Sequence, residues 1–305
     1  MNDFLAVNYI DVFGFHIYYY ALCIIGGIVA CGLSAIPLFR RRNLDPEIIL
    51  DIMIAIIPLA IVFARTWYVV CDLDEYFVNG KMLFTTTESG FSFPRFLDIR
   101  GGGMAIHGGI LGGAIGLLIV SLIKKIPFGK LCDIGAAMLP LGQAIGRWGN
   151  YFNQEVYGKV VTDPSLQFFP LSVYIERAGE WHVALFFIEM MANLIVFALL
   201  YTFLMKYKGR RNWYVASLYF MFYGVIRAVM EPMRDTEYNM GRVFLGLPMM
   251  TWFSVLLIAG GVALFTTLLV LDIKEKNYWW KDLFKKRENK EKAPAAANGG
   301  DDDIA

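Results

Sequence analysis

The chain is poor in charge, histidine and cysteine. Charged residues are 18% of its 305 positions, histidine occurs three times and cysteine four. A soluble globular chain is about a quarter charged, so an ordinary water-facing surface is excluded. Neither sign is in excess: 28 lysines and arginines stand against 27 aspartates and glutamates, a net charge of +1. Without a basic excess there is no electrostatic footprint for nucleic acid. Cys23, Cys31, Cys71 and Cys132 sit in or beside apolar runs, with neither metal spacing nor a disulfide framework, and read as small buried hydrophobes. No dense acidic cluster offers a site for metal-dependent phosphate chemistry. Gly-rich phosphate loops and GxSxG nucleophile elbows are also missing.

What the chain has in quantity is apolar sequence. It is 57% hydrophobic, with a mean hydropathy of +0.50. A membrane-crossing helix needs about 20 mostly apolar residues, and seven such runs occur, near 17–39, 48–71, 104–123, 131–149, 183–205, 213–231 and 247–271. Pro58 and Pro140 interrupt the second and fourth. The first follows Asp3 and Asp11 rather than basic residues and is long enough to span, so it reads as a span and not a cleavable signal peptide. The expectation is an all-α polytopic membrane protein, with seven transmembrane helices over 1–273. A basic segment from 274 leads into a low-complexity stretch, APAAANGGDDDIA, that reads as a disordered tail.

Orientation follows from the connections. Arg40–Arg42, then Lys124, Lys125 and Lys130, then Lys206, Lys208, Arg210 and Arg211 fall on alternate loops, and the tail from Lys274 is basic as well. Positive loops face the cytoplasm, which predicts an outside N-terminus and a cytoplasmic C-terminus. The connections on the other side are long, roughly 72–103, 150–182 and 232–246. Loops of that length are usually functional or structured in themselves, and a small extracytoplasmic cap is expected.

This topology assigns a depth to each polar residue in a span. His16 and Tyr20 fall at the outer end of span one, Arg65 and Tyr68 of span two, His107 of span three. Arg147 and Asn150 close span four. His182 and Glu189 open span five, and Tyr223, Arg227 and Glu231 end span six, with Arg234 just beyond. A charge in hydrocarbon costs at least a few kcal/mol, so such residues line a site or pair with one another. Their shared depth predicts one site in the outer half of the membrane. Tyr223, Arg227 and Glu231 share a helix face at spacings of four, and Arg147 and Asn150 share another at three. Tyr18 and Tyr19 read as an interfacial belt. Gly112, Gly113 and Gly116 read as helix-packing glycines, while Gly101–Gly103 precede a helix start that favours anions.

Arginine recognises phosphate through a planar two-pronged donor, and the phosphate available at that depth is a phospholipid headgroup. A neutral histidine is suited to taking a proton from a thiol. The residues alone therefore point to an extracytoplasmic membrane enzyme or carrier acting on an anionic lipid. An anionic-lipid transporter and a headgroup-binding protein are the alternatives. Transporters place their site near the midplane between internal repeats, and neither feature is evident.

The segments GGGMAIHGGILGG (101–113) and GRWGNYFNQEVYGK (146–159) resemble the two signature stretches of the bacterial prolipoprotein diacylglyceryl transferase family. ARTWYV (64–69) and YGVIRAVMEPMR (223–234) resemble two further family segments, in the same order. The resemblance implies seven spans in the bacterial cell membrane and a site facing the outer leaflet. It also implies transfer of the diacylglyceryl group of phosphatidylglycerol to the lipobox cysteine of a prolipoprotein signal peptide. A thioether forms and glycerol phosphate leaves, with no metal or other cofactor. By the same resemblance His107 activates the thiol, and Arg147 and Arg227 bind the phosphate. Tyr20, Arg65, Asn150, Glu155, Gly158, Tyr223, Glu231 and Arg234 surround the substrates. In span five the likeness weakens: HVALFFIE (182–189) lacks the family's proline and tyrosine and has one extra residue, so no role passes to His182 and Glu189 matches only loosely.

Overall fold

The computed structural model describes residues 8–12, 15–78, 81–86, 92–98, 103–234, 243–244 and 247–283. The expected disordered tail and Gly101 and Gly102 lie outside them. Seven long helices occupy the seven apolar runs: α1 (Tyr19–Arg41), α2 (Ile48–Cys71), α3 (Ile106–Ile123), α4 (Phe128–Phe152), α5 (Leu185–Lys206), α6 (Tyr214–Met230) and α7 (Met249–Lys274). Among the described residues five of these, α1, α2, α3, α5 and α7, are long and apolar enough to cross a membrane. That marks the chain as a multi-pass membrane protein. Their outward faces agree with it. Ile54, Leu33, Ile106, Leu122 and Leu256 are all well over half exposed, which suits lipid and not water.

Helix α4 is the centre of the bundle, flanked by α1, α5 and α6, while α2 lies along α3 and α6 along α7. Leu38, Phe39, Leu131, Ala137, Leu185, Leu200, Leu204 and Val215 form the buried core around it. The glycine row of α3 explains the α2–α3 contact. A Cβ at Gly108, Gly112 or Gly116 would run into the α2 main chain at Phe63, Leu59 or Ala55, whereas Gly113 makes only ordinary contact with Ile56. The close-approach face is thus 108–112–116, and Gly113, read from sequence as a packing glycine, is not on it.

The connections depart from a purely helical fold. Small antiparallel hairpins pair Tyr9–Val12 with Phe15–Tyr18, Phe84–Thr86 with Ser92–Pro94, and Ser172–Ile175 with Glu180–Val183. These segments carry the β-branched and aromatic residues that favour strands, and helical apolar runs elsewhere hid that signal. The hairpin at 15–18 also delays the start of α1 to Tyr19.

The three basic connections meet at one end of the bundle, where Arg41 Nε donates to the Met205 carbonyl at 3.3 Å and Lys124 pairs with Asp51 at 2.6 Å. Two buried aspartates also lie at that end. Asp133 accepts from the main-chain N–H groups of Trp213, Val215 and Ala216 at 2.7, 3.0 and 3.0 Å. It caps the N-terminus of α6 from another helix and satisfies donors that a helix start leaves open. Asp272 binds Arg211 Nε at 2.9 Å and the Tyr214 hydroxyl at 2.8 Å.

Candidate active site

The opposite end of α4 carries a continuous network of charged side chains. Arg147, near the C-terminus of α4, donates through Nη1 to Asn150 Oδ1 at 2.8 Å, as their spacing of three predicts. Its Nη2 is ion-paired with Glu189 Oε1 of α5. Asn150 Nδ2 passes the chain on to Glu155 Oε1 at 2.7 Å. Glu189 Oε2 lies 3.9 Å from Arg234 Nη2, and Arg234 Nη1 lies 3.6 Å from Glu231 Oε2. Arg227 Nη2 closes the series on the same Glu231 oxygen at 2.7 Å.

Three arginines and three glutamates therefore balance one another within a largely buried cluster; Glu189 is 2% and Glu231 5% exposed. Burial in low dielectric is tolerable only with such pairing. Burial, with Arg227 beside it, also pushes the Arg234 guanidinium below the usual arginine range. The pairing does not use up the donors. Among the described residues Arg147 Nε and Arg234 Nε are buried without a hydrogen-bond partner, so each of these two guanidiniums keeps a donor unused.

Local backbone brings these elements together. Gly158 donates its N–H to the Val183 carbonyl at 3.0 Å and bridges to Arg234. Its own carbonyl meets His182 Nδ1 at 2.9 Å. A Cβ there would lie 2.9 Å from Val183 Cβ and 3.3 Å from the Met233 carbonyl. Gly158 thus joins the segments after α4, before α5 and after α6 at a crossing too tight for a side chain. Tyr20, in the first turn of α1, lies across Gly149, where a Cβ would come 2.6 Å from its ring. The ring is next to the Arg147–Asn150 turn for that reason. Tyr223 stacks on Tyr219 with ring centroids 5.6 Å apart, and Tyr219 accepts from Gln143 Nε2 at 2.8 Å.

Several residues singled out by sequence lie apart from this network. His16 pairs with Asp11 in the first hairpin at 3.7 Å, and Tyr68 meets Glu75 of the loop after α2 at 3.5 Å. His107 is in the first turn of α3, exposed, with its ring stacked on Trp67 at 6.3 Å between centroids. No hydrogen bond or ion pair joins it to the network among the described residues. Arg65 is buried and holds the loop after α2. It donates to the carbonyls of Phe96 at 2.7 Å, Gly103 at 2.9 Å and Arg95 at 3.0 Å, and lies over the Tyr76 ring at 5.2 Å. Gly103 has a φ of +74°, and a Cβ there would strike the Arg65 guanidinium, which explains glycine at that position.

Sequence reading undervalued Glu189, the link between Arg147 and Arg234. Asn193, one turn on, donates Nδ2 to the Glu189 carbonyl at 2.8 Å. The available signal was an unbroken apolar helix holding one carboxylate, which is itself a site indicator. Gln143 and Tyr219, each four residues before a residue already singled out, were missed for the same reason: their partners lie on another helix.

The profile of the prolipoprotein diacylglyceryl transferase family matches residues 8–267. Among curated relatives, proteins of Streptococcus pneumoniae (strain Hungary19A-6) and of S. pneumoniae serotype 2 (strain D39 / NCTC 7466) are similar to this chain. Both are named phosphatidylglycerol--prolipoprotein diacylglyceryl transferase, and each is 35% identical over 248 residues, covering 80% of this chain and 87% of the relative.

Proposed function

This chain belongs to the prolipoprotein diacylglyceryl transferase family, and on that premise we propose that it transfers the diacylglyceryl group of phosphatidylglycerol to a prolipoprotein cysteine. The cysteine is that of the lipobox behind a lipoprotein signal peptide. Its sulfur attacks the glyceryl carbon that carries the phosphate. The carbon–oxygen bond breaks, a thioether forms, glycerol phosphate leaves, and the thiol proton passes to a base. Phosphatidylglycerol already contains the leaving group, so the reaction has no place for a further cofactor.

The observation that carries this reading is the Arg147–Glu189–Arg234–Glu231–Arg227 network with its unused guanidinium donors. Charge develops on the phosphate oxygen as the carbon–oxygen bond breaks, and donors fixed in advance at that oxygen stabilise the transition state more than the ground state. Arg147 and Arg227 take that role, the unused Arg234 Nε stands beside them, and Glu189 and Glu231 hold the guanidiniums in place. Asn150, Glu155, Tyr20 and Tyr223 shape the headgroup site, and Gly158 and Arg234 fix the crossing beside it. His107, exposed at the α3 start, receives the thiol proton as the signal peptide docks. Arg65 acts at one remove, by holding the loop that Gly103 ends. All seven long helices span the membrane in this reading, with the N-terminus outside and the network toward the outer leaflet. Labelling of cysteines placed at 206–211 from outside intact cells would contradict that orientation.

The test uses purified full chain, phosphatidylglycerol labelled in its diacylglycerol part, and a peptide bearing a lipobox cysteine. A mass gain of one diacylglyceryl group on the cysteine is expected. A folded sample that binds phosphatidylglycerol and yields no gain would instead be a headgroup-binding protein.

A further inference from the structure

At the end of the bundle away from the network, the three basic connections line an open cavity of about 450 Å³. Arg41, Arg42, Lys130, Lys208 and Arg210 line it together with Tyr207, and among the described residues no carboxylate does. Its size falls within the usual range of small-molecule sites, about 300–1,000 Å³. Topology alone asks only for positive charge on these loops. It does not ask that three loops bring their cations around one hollow.

Arg42 is the informative member. Its guanidinium lies over the Tyr207 ring at 5.2 Å, and among the described residues its Nε and Nη2 are buried without hydrogen-bond partners. Tyr207 is fixed beneath it, because its hydroxyl donates to the Arg211 carbonyl at 2.9 Å. The nearby carboxylate, Asp133, is occupied by three main-chain N–H groups of the α6 start. An arginine held by an aromatic face, with donors unused among like charges, lacks an acceptor. Phosphate oxygens supply charge and acceptors together.

We propose that this cavity is a second anion site, which binds the phosphate of an anionic phospholipid headgroup from the adjacent leaflet or of a soluble phosphate. Basic pockets between helix ends are suited to such headgroups. The site is separate from the Arg147 network: Lys130 and Arg147 are seventeen residues apart on α4, about 25 Å at the helical rise. Occupation would tie the α1–α2 turn, the start of α4 and the α5–α6 connection together around one ligand.

Amide hydrogen exchange of the full chain in phosphatidylcholine nanodiscs tests this, read on peptides covering 207–212. Phosphatidic acid added to the nanodiscs should slow exchange there. Inorganic phosphate in the buffer, without anionic lipid, separates the two sources: equal protection assigns a soluble phosphate, and no protection assigns the headgroup. Arg42→Gln should weaken the response about tenfold, the effect of losing one charge-assisted hydrogen bond. Lys208→Gln, at an exposed residue, gives a variant whose folding is not in question and should weaken it by a smaller factor. Absence of protection with both probes overturns the proposal, as does protection that neither substitution changes.

Discussion

Arg65 and Arg147 are alike in sequence, each an arginine near the end of an apolar run and on the same side of the membrane in the expected topology. Their partners differ. Arg65 donates to three main-chain carbonyls and lies on an aromatic ring. Those acceptors are neutral, belong to one loop, and use the guanidinium as a brace. Arg147 holds two side chains, Asn150 and Glu189, within a network of alternating charge, and its Nε is left over. Arg65 serves as a brace, whereas Arg147, with a donor unused, is the one proposed to bind phosphate. Membrane depth finds both kinds of arginine, and only the partners separate them.

Substitutions should separate the two arginines, and the largest effect falls on Arg147. Arg147→Ala should lower single-turnover transfer about 10²- to 10³-fold, the usual consequence of losing one oxyanion donor, while amide exchange over 92–98 stays as in the parent. His107→Gln should slow the same step about 10²-fold, at the low end for a general base, with phosphatidylglycerol binding retained; an unchanged rate would remove His107 from thiol activation. Glu189→Gln leaves Arg147 and Arg234 without their shared carboxylate. It should destabilise the protein by about 3 kcal/mol, as expected when one partner of a buried pair is removed, and the loss is measured by thermal unfolding in detergent. Arg65→Lys keeps the charge and loses the fork. Exchange over 92–98 should accelerate about tenfold, as expected for one lost charged hydrogen bond, with transfer reduced far less than in Arg147→Ala. Gly149→Ala, which pushes on the Tyr20 ring, should have the smallest effect, about 1 kcal/mol of overpacking.

The legible parts of this molecule are those whose partners are close in the chain. Apolar runs located all seven long helices, and spacings of three and four put Arg147 with Asn150, and Arg227 with Glu231, on shared faces, where the structure joins each pair. The glycine row of α3 foretold a close helix contact, although not that Gly108 rather than Gly113 completes it. The unread parts depend on chain folding back. Glu189 meets Arg147 from 42 residues away, Arg65 meets the carbonyl of Phe96 from 31, and Asp133 caps α6 from 80. No periodicity encodes such pairs. Short hairpins were hidden for a related reason, because a two-stranded ladder in a connection leaves little pattern beside twenty-residue apolar runs.

In the proposed reaction the leaving phosphate sits on the Arg147 network and not in the Arg65 loop. Glycerol phosphate, the product that carries this phosphate, should inhibit transfer by occupying the same donors. Its inhibition constant, measured in the parent and in the Arg147→Ala and Arg65→Lys variants using residual turnover, shows which arginine holds the phosphate. Inhibition weakened about tenfold in Arg147→Ala and unchanged in Arg65→Lys is the predicted result. Inhibition weakened in Arg65→Lys and intact in Arg147→Ala would place the phosphate on the other arginine and contradict the account.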